Sequence, residues 1–340
     1  IMSFRQRVKS RSKEFKAVLL DQSHGHHDDS KYKTIDWGQD KMREQERRKQ
    51  IFATKGIKGK LYKAFYSVQG WIVILLMALL TGSFGGIIDI SAEWMVDLRY
   101  GVCTDMFWLP EYECCAEVEG SCEKFVPWGE LIGLNKLNIL GNNWALPYVF
   151  NYFIYVFFGV GCGIVAAWMV KNFSRYAAGS GIPEVKTILG GFIIKGYFGV
   201  KTLITKCFGL VFSFGSGLNL GKEGPVVHIA CCCGDISSKM FQKYRKNEAK
   251  RRDIYSASCA AGVSTAFGAP VGGTLFSLEE VSSFFPPLLL FRSFFAAVVA
   301  YITLKIVNFN STGQLVMFNL EYNHNSYHFW ELIPFAFIGL

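Results

Sequence analysis

Charge is in short supply in this chain. Asp, Glu, Lys and Arg make up 19% of its 340 residues, against roughly a quarter in soluble domains. Histidine (six) and proline (nine) are scarce as well. A nucleotide-binding loop is missing: around Gly221-Lys222 the first required glycine is replaced by Ser216, and Glu223 follows the lysine where serine or threonine belongs. No catalytic dyad stands out, so an enzyme is not expected. The first sixty residues are polar, the opposite of the apolar core of a cleavable leader. The cysteines between residues 103 and 122 have no histidine nearby, which argues against zinc there.

What is present is apolar. Hydrophobic residues make up 51% of the chain and aromatic ones 16%, and several runs approach the roughly 20 residues that cross a bilayer. The expected class is an all-α polytopic membrane protein with the lipid bilayer as its solvent. A formal charge of +9 would suit nucleic acid, but the lysines and arginines crowd the N-terminus and one short loop. Cytosolic segments of membrane proteins have that distribution, so no nucleic-acid partner is expected.

Residues 1–66 are therefore expected in the cytosol and 67–340 in the membrane. His24, His26 and His27 read as part of a polar tail rather than a metal site. Residues 41–63 have the pattern of an amphipathic helix lying on the membrane. The first span is expected over 71–90 and the second over 145–170. Between them the acidic loop 97–143 carries Cys103, Cys114, Cys115 and Cys122. An even cysteine count in a non-cytosolic loop points to disulfides, with the pairing open. Residues 237–253 form a basic loop that marks the cytosolic side, and 254–270, rich in Ala, Gly and Ser, suit a helix packed all round. Residues 271–278 and 284–306 follow as further membrane segments. Asn310 begins a glycosylation sequon expected on the luminal side. The chain starts at Ile1 ahead of Met2 and stops inside the apolar run 332–340, so a partial sequence is expected.

Three stretches carry chemistry. Gly179-Ser180-Gly181-Ile182-Pro183 precedes a short apolar segment, with Pro183 near the first turn of a broken helix. A serine hydroxyl and the backbone N–H groups of Gly181 and Ile182 can replace part of an anion's hydration shell. Gly221-Lys222-Glu223-Gly224-Pro225 repeats the device with a carboxylate at the helix start. An anionic side chain and a bound anion want the same positive helix end, so Glu223 and the anion compete. Protonating Glu223 withdraws it, which makes one group both gate and proton carrier. The third stretch is Glu279-Glu280, where Glu279 is expected to pair with Arg292 or the basic loop. A second carboxylate facing the interior would carry protons to Glu223 from the cytosolic side, and the residues alone leave open which of the two plays that part. His228 is expected to be a hydrogen-bonded structural residue, and Cys231 to Cys233 to pack as small hydrophobes.

These motifs resemble those of the CLC family of chloride channels and chloride/proton exchangers. Gly179 to Pro183 and Gly221 to Pro225 look like its first two signatures, and Gly262 to Pro270 followed by Phe276 to Val281 adds a third block. The resemblance covers roughly residues 32–340. It implies the CLC fold, with broken and re-entrant helices in two inverted repeats, of which this chain holds the first and the start of the second. It also implies chloride held by Ser180, Gly181, Ile182, Glu223 and Gly224, Glu223 as gate, and Glu280 as internal proton glutamate. No cofactor is implied; chloride and protons are the cargo. The family is a homodimer with one pore per subunit, its interface matching residues 271–278 and 284–306. Its nucleotide-binding cytosolic domains would lie beyond Leu340. Residues 33–37 and the cysteine-bearing loop are similar to the endosomal exchangers. A voltage-gated passive channel, or a truncated subunit that regulates full-length partners, are the alternatives.

Overall fold

A computed structural model describes residues 34–115, 124–133, 145–245, 247–282, 286–308 and 329–339. The histidine cluster, Cys122 and Asn310 lie outside the described residues. Helices α1 (Trp37–Ala53) and α2 (Ile57–Asp97) come first, separated by Gly56 at φ 94°. A two-stranded antiparallel ribbon pairs β1 (Gly101–Cys103) with β2 (Phe125–Pro127), with the single turn α3 (Glu111–Cys114) between them and α4 (Trp128–Leu131) after. Then come α5 (Ala145–Asn172), α6 (Ile182–Leu189), α7 (Val200–Gly215), α8 (Glu223–Lys239), α9 (Gln242–Arg245) and α10 (Glu248–Phe267). α11 (Pro270–Phe276) runs into a π-helical turn over Ser277–Val281, and α12 (Pro287–Val307) and α13 (Leu332–Gly339) complete the described chain.

Three of these helices, over residues 59–97, 147–172 and 287–307, are long and apolar enough to cross a membrane. α2 is the longest at 41 residues, about 60 Å of helix against a hydrocarbon core of about 30 Å. The expected span over 71–90 is only its apolar middle. Its first half belongs to the same rod, so the boundary drawn at residue 66 falls inside a helix. Ile57, Leu61, Phe65 and Val68 recur at helical spacing along it and are all exposed, a stripe suited to lipid.

Small residues set the core. From Ile254 to Ala266 nearly every side chain of α10 is buried, and it is the hub on which α8, α12 and α2 pack. A Cβ added at Gly262 would press on the Val227 backbone of α8 at 2.8 Å. Ser264 donates to the Ala297 carbonyl of α12 at 2.8 Å. Val73, Ile74 and Met77 of α2, Ile229, Cys232 and Cys233 of α8, and Ala296 and Ala300 of α12 close the cluster. Close backbone approach through small residues is how helices gain van der Waals contact in lipid, where hydrophobic burial offers no preference.

Residues 41–63, expected as one amphipathic helix, are instead the end of α1 and the start of α2, parted at Gly56, and α1 docks on the protein itself. Its buried face holds Asp40, Glu44 and Ile51, docked on the turn between α8 and α10. The Asp40 carboxylate accepts from the Ala249 N–H at 3.2 Å, and its carbonyl accepts from Asn247 at 3.1 Å. Glu44 receives Tyr66, Lys250 and Arg48 together. Burial opposes its charge, yet hydrogen bonds from Lys250 and Tyr66 hold its carboxyl below the usual range. The expected basic loop 237–253 is mostly helical. α8 extends to Lys239, and α10 begins at Glu248, where the Asn247 side chain caps it by accepting from the Lys250 N–H at 2.9 Å.

In the acidic segment after α2, Cys103 and Cys114 form a disulfide. Cys115 is also disulfide-bonded. The ribbon at this point is the one strand-forming element among the described residues that the all-helical expectation omitted, together with an isolated bridge between Thr34 and Phe192.

Candidate functional site

The two glycine-rich pentapeptides meet. Gly181 stands ahead of α6 at φ 91°, a left-handed conformation that lets the chain turn sharply into the helix. α8 starts at Glu223. Its second residue, Gly224, has no room for a side chain, because an added Cβ would collide with the Ser180 hydroxyl. The Ser180 side chain is thus set directly against the first turn of α8. Near this point the first-turn N–H groups of both helices lack intrahelical partners. Pro183 and Pro225 each sit inside a first turn, where the missing N–H costs nothing.

Positive charge backs the Ser180 loop from within. Lys206, on α7 and 3% exposed, donates to the Gly179 carbonyl at 2.6 Å and the Ser180 carbonyl at 3.4 Å. Lys206 is not among the residues expected at the site. The signal was there: a lysine in the middle of the apolar run 202–220, the same oddity that singled out Glu223.

Around Glu223 the arrangement is more open. Its side chain curls back over Gly221, where an added Cβ would meet the carboxylate oxygen. Beside it, Lys222 pairs with Asp89 of α2 at 2.9 Å, with the two side chains 21% and 12% exposed. That pair leaves Glu223 without an ion-pair partner among the described residues. A cavity of about 850 Å³ opens beside Lys222 and Asp89, walled by Glu93, Asp97 and Phe214.

His228 departs from expectation. It is fully buried and stacked on Tyr197, with ring centroids 4.3 Å apart and planes 7° from parallel. Among the described residues neither ring nitrogen makes a well-formed hydrogen bond, and the Tyr197 main chain is at most a weak partner. The residue packs under Gly181, where an added Cβ would lie 2.8 Å from Nδ1. Tyr197 donates toward the Gly181 carbonyl at 3.2 Å, so ring packing and one hydroxyl floor the loop. Cys231 to Cys233 are buried, as small hydrophobes should be.

The acidic pair is also arranged differently from expectation. Glu280, in the π-helical turn, is not a lone carboxylate facing inward. It accepts from Lys186 of α6 at 2.8 Å, and its side chain is 55% exposed. Glu279, expected to pair with Arg292 or the basic stretch, has no ion pair among the described residues. Lys186 is one turn beyond Ile182 on α6. Hence the helix that starts beside Ser180 also holds Glu280.

The other end of α6 is fastened from far away. Arg252 of α10, 4% exposed, donates to the Ile188 carbonyl at 2.7 Å and the Phe192 carbonyl at 2.9 Å. The Ile35 N–H donates to the Gly191 carbonyl at 3.0 Å, and the Arg252 guanidinium lies 5.9 Å from the Trp37 ring centre. These contacts satisfy carbonyls that the end of a helix leaves without partners.

Comparison with known proteins gives the family and the fold. A family model described as voltage gated chloride channel matches residues 162–340. The human H(+)/Cl(-) exchange transporter 5 is 48% identical over 327 residues, which is 93% of this chain and 39% of that protein. The human H(+)/Cl(-) exchange transporter 3 is 45% identical over 325 residues, with the same two shares. The chain thus spans about two fifths of the length of these relatives. Among solved structures, a slow cyanobacterial Cl-/H+ antiporter superposes with a TM-score of 0.51 at 20% identity, over 80% of this chain and 53% of that one. That likeness is one of fold. With more than half of its residues matched, and both helix starts set together around Ser180, the chain belongs to the voltage gated chloride channel family.

Proposed function

We propose that this chain is the chloride-binding part of a chloride/proton exchanger. The observation that carries the reading is the contact of Ser180 with Gly224, which puts two helix N-termini and a hydroxyl within reach of one small anion. Chloride would be held by Ser180, the main chain of Gly181 and Ile182, and the N–H groups of Glu223 and Gly224. A charged Glu223 occupies the positive end of α8 and excludes the ion. Once protonated it gives up that position and carries its proton across. Glu280 would hand protons to it from the cytosolic side. Its exposure and its ion pair to Lys186 suit a group that exchanges with water while staying anchored to α6. The names of the similar relatives support exchange over passive conduction. The proposal extends, on the resemblance of its motifs alone, to a homodimer in endosomal membranes with one pore per subunit.

The test is electrical and uses the full-length protein. Glu223→Ala should abolish proton coupling while chloride flux continues; Glu280→Ala should stop proton transport. A reversal potential that ignores the pH gradient in the unmodified protein would instead mark a passive channel. Loss of coupling in Glu279→Ala, with Glu280→Ala unaffected, would move the proton role to the other carboxylate.

A further inference from the structure

Where α1 docks, it encloses a cavity of about 540 Å³, within the range of small-molecule sites. Arg43, Arg47 and Lys243 line it, with Glu44, Tyr62 and Asn247. Lys243 is the unusual member. It is only 8% exposed, and its ammonium group has one hydrogen-bond acceptor among the described residues, the Tyr66 carbonyl at 3.1 Å. The rest of its surroundings are the Tyr66 ring, 4.1 Å from Nζ to the centre, and the Tyr244 ring at 5.6 Å. An ammonium group has three donors, so two are left for something else.

The carboxylates at hand do not supply that partner. Glu44 is shared by Lys250, Arg48 and Tyr66. Glu46, which also lines the cavity, is exposed at its rim. Arg43 reaches Asp40 only at 3.7 Å. The Arg47 guanidinium stands 5.7 Å from the Tyr66 ring centre. Burial, joined by repulsion from Lys250, Arg292 and Arg48, pushes the Lys243 ammonium down to about 8, although Glu44 opposes the shift. Arg43, Arg47 and Lys243 thus face one space whose carboxylates are Glu44, already engaged, and Glu46 at the rim, so cations outnumber the carboxylates there.

We propose that this cavity binds a phosphate ester, with Lys243 at its base and Arg43 and Arg47 at its mouth. A phosphate offers several acceptor oxygens and up to two negative charges, which suits two free ammonium donors and two planar guanidinium forks. The corner beside it carries Phe52, Ile57 and Leu61, exposed by 64%, 87% and 73%. These suit the headgroup boundary of the membrane, outside the span over 71–90, and Tyr62 on the next position lines the cavity. That placement favours a lipid headgroup such as a phosphoinositide, presented by the cytosolic leaflet. A soluble inositol phosphate shares the chemistry.

The experiment measures binding and not transport, so its failure is separable from failure of the exchanger reading. Full-length protein in phosphatidylcholine nanodiscs is titrated with dioctanoyl phosphatidylinositol 4-phosphate and, separately, with inositol 1,4-bisphosphate. Saturable binding of one molecule per subunit is expected. It should weaken about fivefold for each cation removed, in Lys243→Gln and in the double variant Arg43→Gln with Arg47→Gln. Lys171→Gln, an exposed cation elsewhere, should bind as the unmodified protein does. Should Lys243→Gln fail to fold, the double variant at the mouth carries the test. Tighter binding of the lipid assigns the site to the membrane, and equal binding of both assigns it to a soluble ester. Absence of saturable binding, or equal binding by every variant, overturns the proposal.

Discussion

Lys206 tests how far the Ser180 loop depends on charge behind it. Its ammonium group is buried and holds two loop carbonyls. Replacing it with methionine keeps the length of the side chain but removes both the donors and the field. A hydrogen bond to a charged group contributes about 1.5–3 kcal/mol, so chloride affinity of Lys206→Met should fall roughly ten- to hundredfold. Titration calorimetry on detergent-purified, monodisperse protein checks this; unchanged affinity would show that the helix ends suffice. The two pentapeptides were legible in the sequence because each is contiguous and each needs special backbone, glycine for the turn and proline for the first helical position. Lys206 was legible by the same logic and was overlooked. The partner of Glu280 was not legible, since Lys186 lies 94 residues away along the chain and no local pattern joins them. The stacking of His228 on Tyr197 likewise depends on tertiary packing alone.

At the scale of elements, α6 is the one that needs explanation. Eight residues are too few for a helix to persist by itself, so its ends must be held. Gly181, Tyr197 and His228 floor its start, and Arg252 with residues 35 and 37 secures its finish. Arg252 touches no part of the proposed anion site, which makes it a positioning residue acting through the helix. Arg252→Gln leaves the buried Ile188 carbonyl short of a donor, at about 1–3 kcal/mol, and the Phe192 carbonyl, on an exposed residue, free to turn to water at smaller cost. Amide exchange over residues 182–194 should accelerate while α8 and α10 keep their protection, and discrimination between chloride and nitrate should narrow. Arg252→Lys should recover part of both. Faster exchange spread evenly over the molecule would mean general destabilisation instead. The broken helices could be anticipated from their glycine and proline punctuation. The docking of α1 could not. Asp40 and Glu44 find partners some two hundred residues away, and a charged amphipathic segment reads equally well as a surface helix until those partners are seen.

For the whole molecule, the exposed apolar surface decides what surrounds it. Part of that surface belongs to α2 and α5, whose Phe65, Phe153 and Phe157 face outward as lipid-facing residues should. Another part lies on α11 and α12, where Val271, Leu275, Leu288, Phe291 and Ile302 are exposed. The sequence alone separates neither from the other, because lipid and a second protein copy select the same apolar side chains. A two-fold interface differs in one respect: every substitution occurs twice and faces itself or its mate across the axis. A bulky side chain on such a face therefore disturbs shape on both copies at once, while lipid simply flows around it. If the proposed homodimer forms through this face, Leu275→Trp should convert the protein from two subunits per particle to one when fluorescently tagged copies are counted by photobleaching, and Phe157→Trp on α5 should leave two. Transport per subunit should persist in the single copies, since Ser180, Lys206 and Glu223 all come from one chain. If Leu275→Trp still yields pairs, the surface of α11 and α12 belongs to lipid or to the rest of the full-length protein, and the second copy must be sought on another face.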